Sequence, residues 1–204
     1  MNGLREKKKK KRQERIFLSA IHLFNSKGYS QTTMKDIAEK AQLGVGTLYN
    51  YFSSKSDLLL EIMEQKLDHM VKESQNFTQD LLDSEKNGAA VLKEFMNYYL
   101  NYFFLLNKDK WSEAFLEIFS SSSYIQKGVR MDLRIIEQIK SLLNKLKNKR
   151  MIAQDVNVDA ASFVFYSILG FQFMGYVMFP GMKKNQLYQY ICNQIDLIYK
   201  GIKP

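Results

Sequence analysis

Between Met1 and the terminal Pro204 the chain contains a single proline, Pro180. Proline fixes φ and lacks an amide hydrogen, so it stops helices. With so few breakers in 204 residues, long helices are the structure open to this chain. No series of short alternating strands separated by turn signals competes with them. The expected class is all-α.

Start and stop signals divide the first quarter finely. Ile16, Ala20, Ile21 and Phe24 recur at helical spacing. They predict a first helix over 13–27, with Gly28 as its stop. Thr33-Met34-Lys35-Asp36 reads as a capping box and opens a second helix through Ala41, with Ile37 and Ala38 facing inward. Gln42-Leu43-Gly44 is a tight turn, and a third helix follows over 45–52. Ser54-Lys55-Ser56-Asp57 is a second capping box that starts a long fourth helix. On a helical wheel Leu48 and Phe52 share the inner face, with Tyr49 on its flank. Gly46, Thr47, Asn50 and Tyr51 point the other way. Three short helices with a tight turn before the last form a helix-turn-helix, whose second helix enters the DNA major groove.

Charge supports that reading. The net charge is +9. Residues 1–56 carry 12 Lys/Arg against 4 Asp/Glu, whereas residues 57–204 carry 18 against 17. The positive excess is therefore concentrated in the first quarter, as in a polyanion-binding module joined to a neutral body. The run Lys7–Arg12 reads as a disordered basic arm. No charge occurs from Gln42 to Ser54, yet Lys27, Lys35, Lys40 and Lys55 flank the stretch. Hydroxyls at Thr47, Tyr49 and Tyr51 suit phosphates, Val45 suits a thymine methyl, and Gly46 permits close backbone approach.

From Ile16 to Leu59 the sequence, "IFLSAIHLFNSKGYSQTTMKDIAEKAQLGVGTLYNYFSSKSDLL", resembles the amino-terminal domain of the TetR (tetracycline repressor) family of bacterial transcription regulators. "LFNSKGY", "TTMKDIA" and "GVGTLYNYFSSKSDLL" carry the resemblance. It implies that Thr33 and Lys55 hold phosphate backbone at helix starts, and that Thr47, Tyr49 and Tyr51 contact the backbone and groove edge. Val45, Gly46 and Asn50 occupy the base-reading positions, while Leu48 and Phe52 are core. Lys35 joins the same basic border. This chain departs from the family pattern at Gln42, where the turn commonly has glycine, at Gly44, where a serine N-cap is common, and at Tyr51, where histidine is frequent. The first departure implies a strained or rebuilt turn, the second a weaker cap.

The expected organisation is a basic arm over 1–12, a DNA-binding domain over 13–56, and a larger helical ligand-binding and dimerisation domain over 57–204. Aromatic helices in the body suit a flat or lipophilic ligand. Tyr98, Tyr102, Trp111 and Phe115 are its candidate contacts, with plain core packing as the competing explanation. Ala160–Phe179 lacks charge and is long enough for a membrane span. Its serines, tyrosines and glycines, and the amphipathic helices around it, favour burial between protein surfaces. The family dimerises through its last two long helices. The candidate dimer contacts are Phe163, Ile168, Gly170, Phe171 and Gly175, with Ile191 and Ile195 from the last helix.

Cys192 is the only cysteine and cannot pair within the chain, which fits a reducing cytoplasm. His22 and His69 lie far apart without ligand-spaced neighbours, so neither a metal site nor a Cys–His catalytic pair is expected. The chain is therefore expected to be a cytoplasmic homodimeric regulator, not an enzyme, with no cofactor. It should bind a palindromic DNA operator and be released as a repressor by a small-molecule inducer. Two alternatives stay open: a DNA-binding dimer without a ligand, and an aromatic-rich binding domain whose DNA binding is vestigial.

Overall fold

The computed structural model describes residues 2–204, with side chains from Glu6 onward; Met1 lies outside the described residues. Those residues form helices and connecting turns: α1 (Asn2–Ser26), α2 (Met34–Lys40), α3 (Val45–Tyr49), α4 (Lys55–Asp83), α5 (Gly88–Phe103), α6 (Lys108–Phe119), α7 (Ser122–Asn148), α8 (Val158–Met178) and α9 (Lys184–Ile202).

The first helix corrects one expectation. Residues 2–12 are helical and form the opening turns of α1 rather than a disordered arm. Lysine, arginine and glutamate are good helix formers, and the helix that Ile16 anchors is extended by them without a break. The second helix follows its sequence signal closely. Thr33 Oγ1 accepts the Asp36 amide at 3.1 Å, and Asp36 Oδ2 accepts the Thr33 amide at 2.8 Å. At α4 the box is rebuilt. Ser54 Oγ accepts the Asp57 amide at 3.0 Å, but the Asp57 carboxylate turns to the Ser53 amide at 3.1 Å.

The contacts divide the chain into two units: residues up to Gln65 together with Leu105–Gly128, and Lys66–Phe104 together with Val129–Pro204. This differs from a cut near residue 56, because α6 and the start of α7 pack with the helix-turn-helix. The first unit is centred on Ile16, Ala20 and Phe24 of α1, Ile37 and Ala38 of α2, Leu48 of α3 and Leu58 of α4, all with no exposed surface. The larger of these, Ile16, Phe24, Ile37, Leu48 and Leu58, each contribute about 1.5–3 kcal/mol by leaving water. Polar ties to the returning segment add to this packing. Asn107 N–H donates to Asn25 Oδ1 at 2.7 Å, and Ser30 N–H donates to Glu113 Oε2 at 2.7 Å.

In the second unit, α5 contributes Phe95, Tyr99 and Tyr102 to the interior, and α7 contributes Ile135, Ile139, Leu142 and Leu146. Helix α8 packs on α5 and α9 and buries Phe165, Leu169 and Phe173. It is the one helix among the described residues long and apolar enough to cross a membrane, a property that core helices share.

Candidate nucleic-acid interface

Three elements build this surface within the first unit. Helix α2 is fixed by Met34, Ile37 and Ala38, which leaves Lys35 exposed. The turn reverses the chain at Gln42, whose φ of 56° is left-handed. Glycine adopts that region at little cost, whereas glutamine is strained there. The turn in this chain is therefore a strained one. Helix α3 then starts at Gly44, which supplies no side-chain cap.

Leu48 pins α3 to the core with no exposed surface. Gly46, Tyr49 and Asn50 are exposed, while Val45 and Thr47 are half-covered. Helical hydrogen bonding continues past Tyr49, with Asn50 N–H donating to Gly46 at 3.1 Å and Phe52 N–H to Leu48 at 3.0 Å. A Cβ on Gly46 would meet nothing within 4 Å, so the fold itself does not demand glycine there.

A cleft of about 780 Å³ opens beside α3. Lys9, Arg12 and Gln13 of α1 line it together with Thr47, Asn50 and Tyr51. Arg12 donates to the Tyr51 hydroxyl at 3.5 Å. Lys127 of α7 reaches the same cleft, where Asp57 at 3.1 Å and Glu61 at 4.0 Å face its ammonium. The Asp57 carboxyl is desolvated, yet the Ser53 amide and Lys127 hold it below the usual carboxylate range. Lys9, Arg12, Gln13 and Lys127 are not among the candidate contacts read from the sequence. The basic run signalled Lys9 and Arg12, but nothing local could place Lys127.

Two expected phosphate ligands are differently placed. Lys55 Nζ donates to the carbonyl oxygens of Tyr29 at 2.8 Å and Ser30 at 3.4 Å, and lies 4.7 Å from the Tyr29 ring centroid. Its ammonium thus helps fix the loop after α1. Thr33 spends its hydroxyl on the α2 cap, although the residue is exposed.

The remaining candidates separate further. Tyr98 and Tyr102 belong to the second unit, and Trp111 and Phe115 to the first. Tyr98 donates to the Met70 carbonyl at 3.0 Å, Tyr102 contacts Met131 Sδ at 3.2 Å, and the Trp111 and Phe115 rings lie 5.1 Å apart. Of the dimer candidates, Phe163 and Phe171 are exposed. Ile168, Ile191 and Ile195 are instead buried in their own chain, with at most 8% exposure, and have almost no surface left to give a partner. Gly170 and Gly175 are partly covered by Tyr166 and by Phe179 with Met182, respectively. Among the described residues no group of three or more His, Cys, Asp or Glu could hold a metal ion.

Residues 16–62 match the profile of the bacterial regulatory proteins, tetR family. Over 87 residues the chain is 31% identical to the HTH-type transcriptional regulator LuxR of Vibrio harveyi, covering 43% of this chain and 40% of that protein. The chain spans two-fifths or less of the curated relatives it matches first. The fold likeness is more extensive. A TetR transcription regulator from Haloarcula marismortui aligns with a TM-score of 0.69 at 16% identity, over 95% of this chain and 98% of that one. FadR of Bacillus subtilis, in complex with stearoyl-CoA, aligns with a TM-score of 0.66 at 16% identity, over 93% and 98%.

Proposed function

Because this chain belongs, through residues 16–62, to the tetR family of bacterial regulatory proteins, we propose that it is a sequence-specific DNA-binding transcriptional regulator. The observation that carries the proposal is the outer face of α3. Gly46, Tyr49 and Asn50 are exposed and uncharged, and basic side chains of α1 border them. A surface that only attracted polyanions would need the charge alone. An exposed uncharged strip within a positive border suits base reading framed by phosphate contacts.

In this proposal Val45, Gly46 and Asn50 face base edges. Thr47, Tyr49 and Tyr51 contact phosphate and groove edge, with Lys35, Arg12 and Lys9 at the border. Lys55 and Thr33 position the surface and offer phosphates only what their internal bonds leave. The protein acts in the cytoplasm as a homodimer on a palindromic operator. Phe163 and Phe171, with Leu197 of α9, supply exposed apolar surface for the second copy. A small lipophilic or aromatic ligand, bound in the aromatic second unit, releases the repressor by favouring a dimer geometry that no longer fits DNA. The stearoyl-CoA held by the FadR fold relative supports a ligand of that kind.

Selection of duplexes from a random pool, followed by footprinting, tests this function. The expected product is a two-fold symmetric site with half-sites about one helical turn apart, roughly 34–36 Å. Retained sequences sharing no element would refute it.

A further inference from the structure

Phe104 follows the last turn of α5, and four aromatic or cationic side chains of the second unit meet at its ring. Phe173 and Tyr176 of α8 stand nearly perpendicular to it, with centroids 6.1 and 6.0 Å away. Tyr188 of α9 lies at 6.2 Å. Phe104, Tyr176 and Tyr188 are each half-buried, so the cluster opens to solvent on one side. Over it sits Lys184, its Nζ 3.9 Å from the Phe104 centroid and 5.7 Å from that of Tyr188. The face of an aromatic ring is negative and attracts a cation within about 6 Å of its centroid.

The ammonium is held by little else. Among the described residues Lys184 has no ion pair. It is also the first residue of α9 and follows Lys183, so the positive end of its own helix and a neighbouring like charge both disfavour it. The rings are what draw a cation to this place. A lysine ammonium is a demanding occupant, since it is compact and strongly hydrated and loses water in order to lie on a ring. Its side chain is exposed and can swing into solvent.

We propose that Phe104, Tyr176 and Tyr188 form a binding site for an organic cation, a quaternary ammonium bearing apolar substituents, with Lys184 as the tethered cation that the ligand displaces. A quaternary nitrogen has no N–H to desolvate, and its methyl groups gain contact with rings that Lys184 leaves uncovered. The site is independent of DNA binding and stands or falls on direct binding.

The test is an NMR titration of the full chain with choline and with 3,3-dimethyl-1-butanol, the neutral molecule of nearly the same shape. Choline should shift the ring resonances of Tyr176 and Tyr188 saturably, and the neutral alcohol should not. Lys184→Gln, an exposed change, should tighten choline binding by about two- to fivefold. Phe104→Leu should abolish it, with Tyr188→Leu as a second variant should the first lose its native circular dichroism. Equal binding of the neutral alcohol would overturn the proposal. So would unmoved tyrosine resonances in both the parent chain and Lys184→Gln.

Discussion

The hydroxyls of Tyr29 and Ser56 meet at 2.8 Å, both within residues fully shielded from water, and Ser56 donates onward to Glu117 Oε1 at 2.6 Å. Ser56 spends its one hydroxyl proton on Glu117, so Tyr29 is the donor to Ser56, and burial pushes the Tyr29 hydroxyl far above its ordinary pKa. This relay ties the loop after α1 to α4 and α6.

Removing its middle member should therefore cost more than removing its end. Ser56→Ala removes both bonds that the Ser56 hydroxyl makes, to Tyr29 and to Glu117, and should destabilise the protein by about 1–3 kcal/mol. Tyr29→Phe keeps the Ser56–Glu117 bond and should cost about 0.5–1.5 kcal/mol. Urea denaturation of both variants ranks them. The reverse order would contradict this account and show that the Tyr29 hydroxyl contributes more than that of Ser56.

The left-handed Gln42 should be improved by glycine. Relief of roughly 1–2 kcal/mol of backbone strain exceeds the added unfolded-state entropy of roughly 0.5–1 kcal/mol. Gln42→Gly should thus raise the denaturation midpoint slightly. A lower midpoint would mean that the glutamine side chain contributes a compensating contact.

Gly46 separates stability from function. With no atom near its missing Cβ, Gly46→Ala should stabilise the free protein by up to about 1 kcal/mol through helix propensity. The same methyl group should weaken DNA binding, because the backbone could no longer approach as closely. Thermal denaturation and DNA titration of the one variant should therefore move in opposite directions. Unchanged DNA affinity would remove Gly46 from the interface.

Asp36 sets an acid limit on α2. A bond from Lys27 at 2.6 Å, then the Thr33 amide and hydroxyl, lower its pKa from 3.8 to about 2. A carboxyl with a depressed folded pKa binds its proton more readily when unfolded. Its contribution is complete above about pH 4 and is lost as pH falls toward 2. Lys27→Met should shift the Asp36 titration upward in carboxyl NMR, and Asp36→Asn should remove that part of the pH dependence.

The helix-turn-helix was legible because its signals are local: two cap motifs, a turn, and inner faces set by Ile37, Leu48 and Phe52. The helical state of residues 2–12 was not. A lysine run has no apolar face to advertise a helix, and continuity with the Ile16 segment decided the outcome. In α8 the apolar residues surround the helix, so spacing alone could not separate buried Ile168 from exposed Phe171. In α9 the regular spacing of Ile191 and Ile195 marks a face that is buried within the chain itself. Lys127 entered the α3 cleft through a contact spanning 70 residues of sequence, which no motif records.

The most direct test is a titration of the full chain and of Tyr49→Ala against the selected duplex and a scrambled duplex at several salt concentrations. Tyr49 is 53% exposed on α3, so its loss should leave the fold intact. The account predicts saturable binding that favours the selected duplex by about a thousandfold or more, with that preference greatly reduced in Tyr49→Ala. Equal binding to both duplexes, falling steeply with salt and unaffected by Tyr49→Ala, would contradict it and leave only a basic surface.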